Sequence, residues 1–296
     1  MGCCKELLIP RSHAASMSQH RSGGVSVDTG AMRLIAALMG ALLLVSGCMG
    51  GDEANQPAQN QITLDSLDLD WPQAAGELDP VDPPDAPAGF DQTRYGRMVD
   101  ALTTWANATT LDPEVRESDD PAAAVGSQLP KAVGSQLNTL GSESVSPHLA
   151  VANVFADDVT VLGQPRITTA WRAEAVERDG APALSLQLQT RAAYEVRLGE
   201  DGPKRVIGVL RVHELVTRAG ETGDIGIGFG WQEFGASDCT LALDDALRPD
   251  GDIGPTKEDL AIFVEAGSGD TVEMPDLGEG ETVDQDYLDR CRAGQV

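Results

Sequence analysis

Positive charge is scarce in this chain. Lys and Arg together number 21, only 4 of them Lys, against 47 Asp and Glu, so the formal net charge is -26 over 296 residues. Such a field repels the phosphates of nucleic acids and the anionic surface of a bilayer. We therefore expect no nucleic-acid partner. The hydrophobic content of 41% is nevertheless sufficient for a folded core.

Histidine is also rare, and this limits the chemistry that the chain can perform. After residue 47 the sequence contains only His148 and His213. No Ser-His-Asp order, His-x-x-x-His pair or Cys-His cluster can be assembled convincingly from them. We expect neither a metal nor a cofactor, and we assign no catalytic residue.

Two familiar binding motifs are missing as well. The segment RPDGDIGPTKED (248–259) places Gly254 and Pro255 where an EF-hand loop needs an oxygen ligand and its turn glycine, and Ala261 where it needs a Glu. The alternate glycines of GIGFGW (226–231) do not follow the G-x-G-x-x-G pattern of phosphate loops. We expect these glycines to leave room for a bulky neighbour or a bend.

The apolar run near the N-terminus is short for a membrane-spanning helix, which needs about twenty residues. Fourteen uncharged residues, Leu34 to Gly47, follow Arg33, and Asp52 and Glu53 come next in place of a basic cluster. This layout is typical of an export signal. A permanent transmembrane helix is the alternative interpretation.

The end of that run, VSGC (45–48), resembles the lipobox of bacterial lipoproteins, in which an aliphatic residue and two small residues precede a cysteine. The resemblance implies cleavage before Cys48 and attachment of a diacylglyceryl group to its thiol. Lipid on Cys48 would anchor the protein on the extracytoplasmic face of the cell membrane. Residues 32–47 would be the signal peptide, and residues 1–31 a non-native N-terminal extension.

The five cysteines are divided by this interpretation. Cys3 and Cys4 fall in the extension and Cys48 accepts the lipid, which leaves Cys239 and Cys291 as an even pair. Exported compartments permit disulfides. We predict that Cys239 and Cys291 are bonded, and two free thiols are the alternative.

Charge and proline content divide the rest of the chain into three parts. Residues 49–91 contain ten carboxylates, six prolines and no Lys or Arg, which predicts an extended acidic tether over 48–90. Residues 91–240 are expected to form the folded domain. Residues 241–296 form an acidic tail that the predicted disulfide ties to the domain.

The hydrophobic period changes from helical to extended along the domain. An apolar stripe from Tyr95 to Ala106 predicts a helix with Asp91 as its cap, and the duplicated sequence AVGSQL predicts a second, weaker helical segment. Alternation then predicts strands joined by turn-rich connections into an antiparallel meander. The predicted strands lie near 166–178, 183–198, 204–218 and 225–238, with a shorter one between Leu149 and Leu162.

Helices followed by a curved meander indicate an α+β fold, with one or more N-terminal helices packed on the sheet. The order of elements is similar to that of the nuclear transport factor 2-like (SnoaL-like) superfamily. The resemblance implies a cone-like sheet around a long N-terminal helix. A β-sandwich with a helical preface is the alternative fold.

The strand KRVIGVLRVHELVTR (204–218) carries ionisable groups on both faces. Arg211 and His213 fall on one face and Glu214 on the other. Cones of this class often hold a pocket, in which His213 or Glu214 could transfer protons beside Arg211 and Tyr194. The alternative for the same residues is a cross-strand salt bridge and a satisfied histidine.

Two functions follow from these patterns. The one we favour is a non-enzymatic, lipid-anchored protein of the cell envelope that binds a protein or small-molecule ligand of unknown identity. Its contact with the membrane would be the lipid on Cys48. The alternative is a small pocket enzyme of SnoaL-like type that uses His213 or Glu214.

Overall fold

A computed structural model describes residues 62–143, 147–178, 180–218, 225–249, 267, 269–272 and 285–293. The predicted extension and signal peptide lie outside these residues, as do Cys48, the first part of the tether and most of the tail. Among the helices that the structure describes, none is both long and apolar enough to cross a membrane.

Five helices precede the sheet in the described part of the chain. They are α1 (Gln92–Thr110), α2 (Pro113–Arg116), α3 (Pro121–Gln128), α4 (Lys131–Glu143) and α5 (Pro147–Val151). α1 begins at the predicted cap, because the carboxylate of Asp91 accepts a hydrogen bond of 2.7 Å from the backbone N–H of Arg94. The predicted apolar stripe of α1, including Leu102 and Trp105, is buried.

The duplicated sequence AVGSQL lies in α3 and in α4. Its equivalent valines, Val125 and Val133, are both buried in the same core cluster. The equivalent glycines lie against each other, since a side chain on Gly134 would collide with the backbone carbonyl of Gly126. The repeat therefore provides the contact between two packed helices.

The described strands form one antiparallel sheet. They are β1 (Val159–Val161), β2 (Arg166–Arg178), β3 (Ala181–Leu198), β4 (Lys204–Arg218) and β5 (Ile225–Phe234). β2 to β5 follow one another as a meander. β1 pairs with the last residues of β3, beyond the point where β2 begins. The α+β class is thus confirmed, and the alternative β-sandwich is wrong for the part of the chain that the structure describes.

The sheet has two different faces. On the helix face, Leu184, Leu186 and Leu188 of β3 pack with α1 in one core cluster. The outer face carries the alternate residues of each strand, among them Ser185 and Arg191 of β3 and the residues of β4 that lie beside them. Odd and even positions along each strand therefore lie on opposite faces of the sheet.

Residues 62–90, which fall in the predicted tether, lie on the folded domain. Trp71 is 1% exposed, with the guanidinium of Arg191 4.9 Å from its ring centroid on the outer face. The backbone N–H of Ile167 donates to the carbonyl of Pro72 at 3.0 Å, so this segment pairs with the edge of β2. Packing on the domain buries the apolar area of Trp71 and its neighbours, which an extended solvated chain would leave in water.

Two helices follow the sheet in the described residues, α6 (Asp238–Asp244) and α7 (Gln285–Arg292). The predicted disulfide joins them: Cys239 and Cys291 are bonded, with Cα atoms 5.3 Å apart and a sequence separation of 52. β5 ends at Phe234, before the predicted limit at residue 238, because Gly235 turns the chain with a φ of 83°, and α6 begins at Asp238.

Candidate functional site

The predicted pocket residues divide between the two faces of the sheet. β3 and β4 pair so that Leu188 is opposite His213 and Thr190 is opposite Arg211, which places both ionisable residues of β4 on the helix face. Tyr194 lies on the same face and is buried. Glu214 lies on the outer face, so the structure does not bring it together with His213.

Arg211 is buried beneath α5, with 3% of its surface exposed. Its guanidinium donates to the backbone carbonyls of Leu149 at 2.7 Å and Ala152 at 2.5 Å, and Nε donates to Oδ1 of Asn153 at 2.5 Å. A guanidinium suits this position because its donors form a rigid fork that can serve several carbonyls at the end of a helix. Burial lowers the pKa of Arg211 to about 10, so the group stays charged at neutral pH.

The opposite end of α5 is bound by a carboxylate. Asp245 accepts hydrogen bonds from the backbone N–H groups of His148 at 2.5 Å and Leu149 at 3.1 Å. Burial raises the pKa of Asp245, although these hydrogen bonds oppose the shift. α5 is therefore held by a negative charge at its N-terminus and a positive charge at its C-terminus, which matches the direction of the helix dipole.

Tyr194 extends this network into α1. Its hydroxyl donates to the carbonyl of Thr110 at 2.8 Å and accepts from Nδ2 of Asn153 at 2.8 Å. Burial raises the pKa of Tyr194 to about 12. Arg211, Asn153 and Tyr194 thus form one polar network, the Arg211 network, whose polar atoms bind α1, α5 and the chain that follows α5.

His213 lies between the sheet and α1. Its Nε2 is 3.0 Å from Oγ1 of Thr109, and the ring of Trp105 meets it edge to face at a centroid distance of 4.9 Å. Only 2% of the residue is exposed. Burial, with a smaller contribution from Arg211, lowers the pKa of His213 to about 3. The imidazole is therefore neutral at physiological pH and enclosed by protein, whereas a general acid or base must reach its substrate.

Glu214 has a different environment on the outer face. Its Oε1 accepts hydrogen bonds from Oγ of Ser185 at 2.5 Å and from Nε2 of Gln187 at 3.2 Å. Gly228 is its partner on β5. The carboxylate lies across the backbone there, since a side chain on Gly228 would collide with Oε2 of Glu214. Glu214 is partly exposed, so its carboxylate is presented at the surface.

A glycine is needed at the neighbouring outer-face position of β5, Gly226, for a similar reason. A side chain on Gly226 would collide with the guanidinium of Arg178. The alternate glycines therefore leave room for bulky charged side chains, as expected for Gly226 and Gly228. Within the described part of the chain, no group of three or more His, Cys, Asp and Glu side chains is arranged to hold a metal ion.

Sequence patterns did not identify Asn153, Thr109 or Asp245. Asn153 and Asp245 lie in connections between elements, and Asp245 binds a backbone amide 97 residues away. No local pattern reports such a contact. The one usable signal is Arg211 itself, because an arginine on the strand face that packs against the helices needs several acceptors when it is buried.

Comparison with protein-family models, with curated proteins and with solved structures finds no match to this chain.

Proposed function

We propose that the chain is a lipid-anchored protein of the extracytoplasmic face of the cell membrane, and that its domain acts as a binding module. The observation that carries the anchor is the sequence VSGC (45–48) directly after a run of uncharged residues. The signal peptide would be 32–47, the extension 1–31 would be absent from the exported protein, and Cys48 would be its first residue.

The proposed anchor sets how far the domain can move from the membrane. Ile62 packs against the outer-face cluster that contains Trp71, so the proposed tether would comprise only residues 49–61. Thirteen residues span at most about 45 Å when fully extended. Residues 62–90 carry their carboxylates on the domain surface, and the domain would present an acidic exterior close to the bilayer.

The burial and location of the ionisable groups of β4 support a binding role. Arg211 and His213 are buried and in contact with backbone or side chains of the domain. Glu214 is partly exposed and lies on the other face. The pocket-enzyme hypothesis requires a reachable acid or base in an enclosed site, and neither residue combines both properties. We further propose that the sheet curves around α1 as in the cone-like folds, a proposal supported by the β2 to β5 meander and the packing of α1 on β3.

Mass spectrometry of the membrane-extracted protein tests the anchor. The expected N-terminal peptide begins at Cys48 and carries a diacylglyceryl thioether. A Cys48→Ser variant should remain unprocessed and unacylated. Its matched control, Cys239→Ser, changes another cysteine and should be acylated normally. An N-terminus at any other residue, or acylation that persists in Cys48→Ser, would overturn the proposal.

A further inference from the structure

In the described part of the chain no strand pairs with the side of β5 that faces away from β4, although α4 covers the start of that side through Gln136. Nε2 of Gln136 donates to the carbonyl of Ile225 at 2.6 Å, so that carbonyl points away from β4. Alternate residues of an antiparallel strand direct their backbone groups to the same side. The N–H and C=O groups of Ile227 and Phe229 therefore point outward along this edge.

The two edges of the sheet differ in how well they are protected against pairing with another chain. The start of β2 is paired with the segment around Pro72, and its remaining length carries four charged residues, Arg172, Glu174, Glu177 and Arg178. Charged side chains on an edge strand oppose pairing with another chain. β5 contains no charged residue from Ile225 to Gln232. Gln136 of α4 and the guanidinium of Arg178 cover its start at Ile225 and Gly226, so only the part from Ile227 onward lacks this protection.

Glu214 gives the β5 edge a chemical preference. Its carboxylate occupies the space above Gly228 on the outer face. A strand added to β5 would lie about 4.8 Å farther out, and a side chain opposite Gly228 would emerge beside that carboxylate. Oε1 is held by Ser185 and Gln187, while Oε2 has no donor among the described residues. A cationic side chain on the added strand can supply one.

We propose that the β5 edge binds an extended segment of a partner protein as an additional strand, with a Lys or Arg of that segment paired to Glu214 over Gly228. The charge of -26 favours a basic partner by attraction. A second copy of the chain is disfavoured, because β5 carries no Lys or Arg and two such chains repel each other. This inference rests on the proposed binding role and is independent of the lipid on Cys48.

The test uses the full chain in detergent and a synthetic heptapeptide, Thr-Val-Thr-Lys-Thr-Val-Thr, capped at both ends. The matched probe replaces its central Lys with Glu. Fluorescence anisotropy should show about tenfold tighter binding of the Lys peptide, because the Glu peptide places like charges together. Methylation of alternate backbone amides of the Lys peptide should abolish binding, since strand addition depends on those donors.

Site-specific readouts connect binding to this edge. The chain has only 5 Phe, so selective ¹⁵N labelling isolates the amide of Phe229, whose hydrogen exchange should slow when the Lys peptide binds. Glu214→Gln should weaken the Lys peptide about threefold, as expected for a partly exposed ion pair, and remove the discrimination against Glu. The matched control is Glu174→Gln, which changes a carboxylate on the outer face of β2 and should leave both affinities unchanged.

The outcomes separate this inference from the anchor. Equal affinity for the two peptides, absence of binding to both, or an unprotected Phe229 amide would overturn the proposed strand addition. Light scattering that shows a dimer protected at Phe229 without peptide would assign the edge to a second copy. Each of these results leaves the acylation test at Cys48 unaffected.

Discussion

His213 and Glu214 are neighbours in the chain, yet they lie in opposite environments on the two faces of β4. His213 is enclosed by Trp105 and Thr109, and burial lowers its pKa to about 3. Glu214 is partly exposed, and only one of its carboxylate oxygens is held by Ser185 and Gln187. Alternation along a strand is sufficient to separate a core residue from a surface residue across one peptide bond.

The comparison shows how the helix face uses its ionisable residues. Arg211 and Asp245 bind the two ends of α5, and Tyr194 joins that network to α1. Such contacts fix a helix that is too short to be stable alone, since α5 has only five residues. On the outer face, Glu214 leaves acceptor capacity for a ligand. The faces should therefore respond differently to substitution.

Arg211→Met should have the largest effect on the helix face. It leaves the carbonyls of Leu149 and Ala152 without their donors in the core, and each buried acceptor left unsatisfied costs about 1–3 kcal/mol of unfolding free energy. Urea denaturation measures the loss. Arg172→Met on the outer face is the matched control and should change stability by less than about 0.5 kcal/mol. A loss below about 1 kcal/mol for Arg211→Met would contradict the assigned role.

His213→Gln should change how stability depends on pH. The folded pKa of about 3 lies below the ordinary histidine pKa of 6.5, so between these values the unfolded chain binds a proton that the folded chain does not. This residue therefore lowers stability as pH falls from 6.5 toward 3, by at most about 1.4 kcal/mol per pH unit. The Gln variant should lose this contribution to the pH dependence of the free energy of unfolding.

Urea denaturation of both proteins at several pH values measures the difference. The comparison with the variant is necessary because Asp245, whose pKa is raised, acts in the opposite direction at acid pH. His148→Gln, which changes a partly exposed histidine, should keep the acid-side loss. Parallel pH profiles for wild type and His213→Gln would show that His213 titrates in the folded state as it does in the unfolded chain.

Glu214→Gln should have the smallest effect on stability. The amide can still accept from Ser185, and the partly exposed carboxylate contributes little as an ion, so we expect a change of about 1 kcal/mol or less. The same denaturation assay applies. A loss as large as that of Arg211→Met would make Glu214 a structural residue and remove the contrast between the faces.

Much of the fold could be predicted because its signals are local. β2 and β4 have the predicted bounds, and α1 begins at its predicted cap, since alternation, helical period and a capping carboxylate are all read within a few residues. The disulfide was predicted by elimination among five cysteines. β5 ends at Phe234 and not at the predicted limit of residue 238, because Gly235 adopts a positive φ that interrupts the extended chain.

The packing of residues 62–90 on the domain could not be predicted from composition. Their acidic, proline-rich sequence is typical of a tether, and it contains only two aromatic residues, Trp71 and Phe90. The decisive contacts are the stacking of Trp71 under Arg191 and the pairing of Pro72 with Ile167. Both join residues about one hundred positions apart, and such contacts leave no periodic trace in either segment.

The sequence by itself determined the α+β order, the strand faces of Arg211, His213 and Glu214, and the pairing of Cys239 with Cys291. The tertiary structure decided what each face means. It enclosed His213 beneath α1, connected Arg211 to the end of α5, and placed Glu214 over Gly228 of β5. The alternation of residues along a strand assigns each side chain to one face of the sheet. Whether that side chain is buried depends on which distant elements cover the face, and this is decided only when the chain packs.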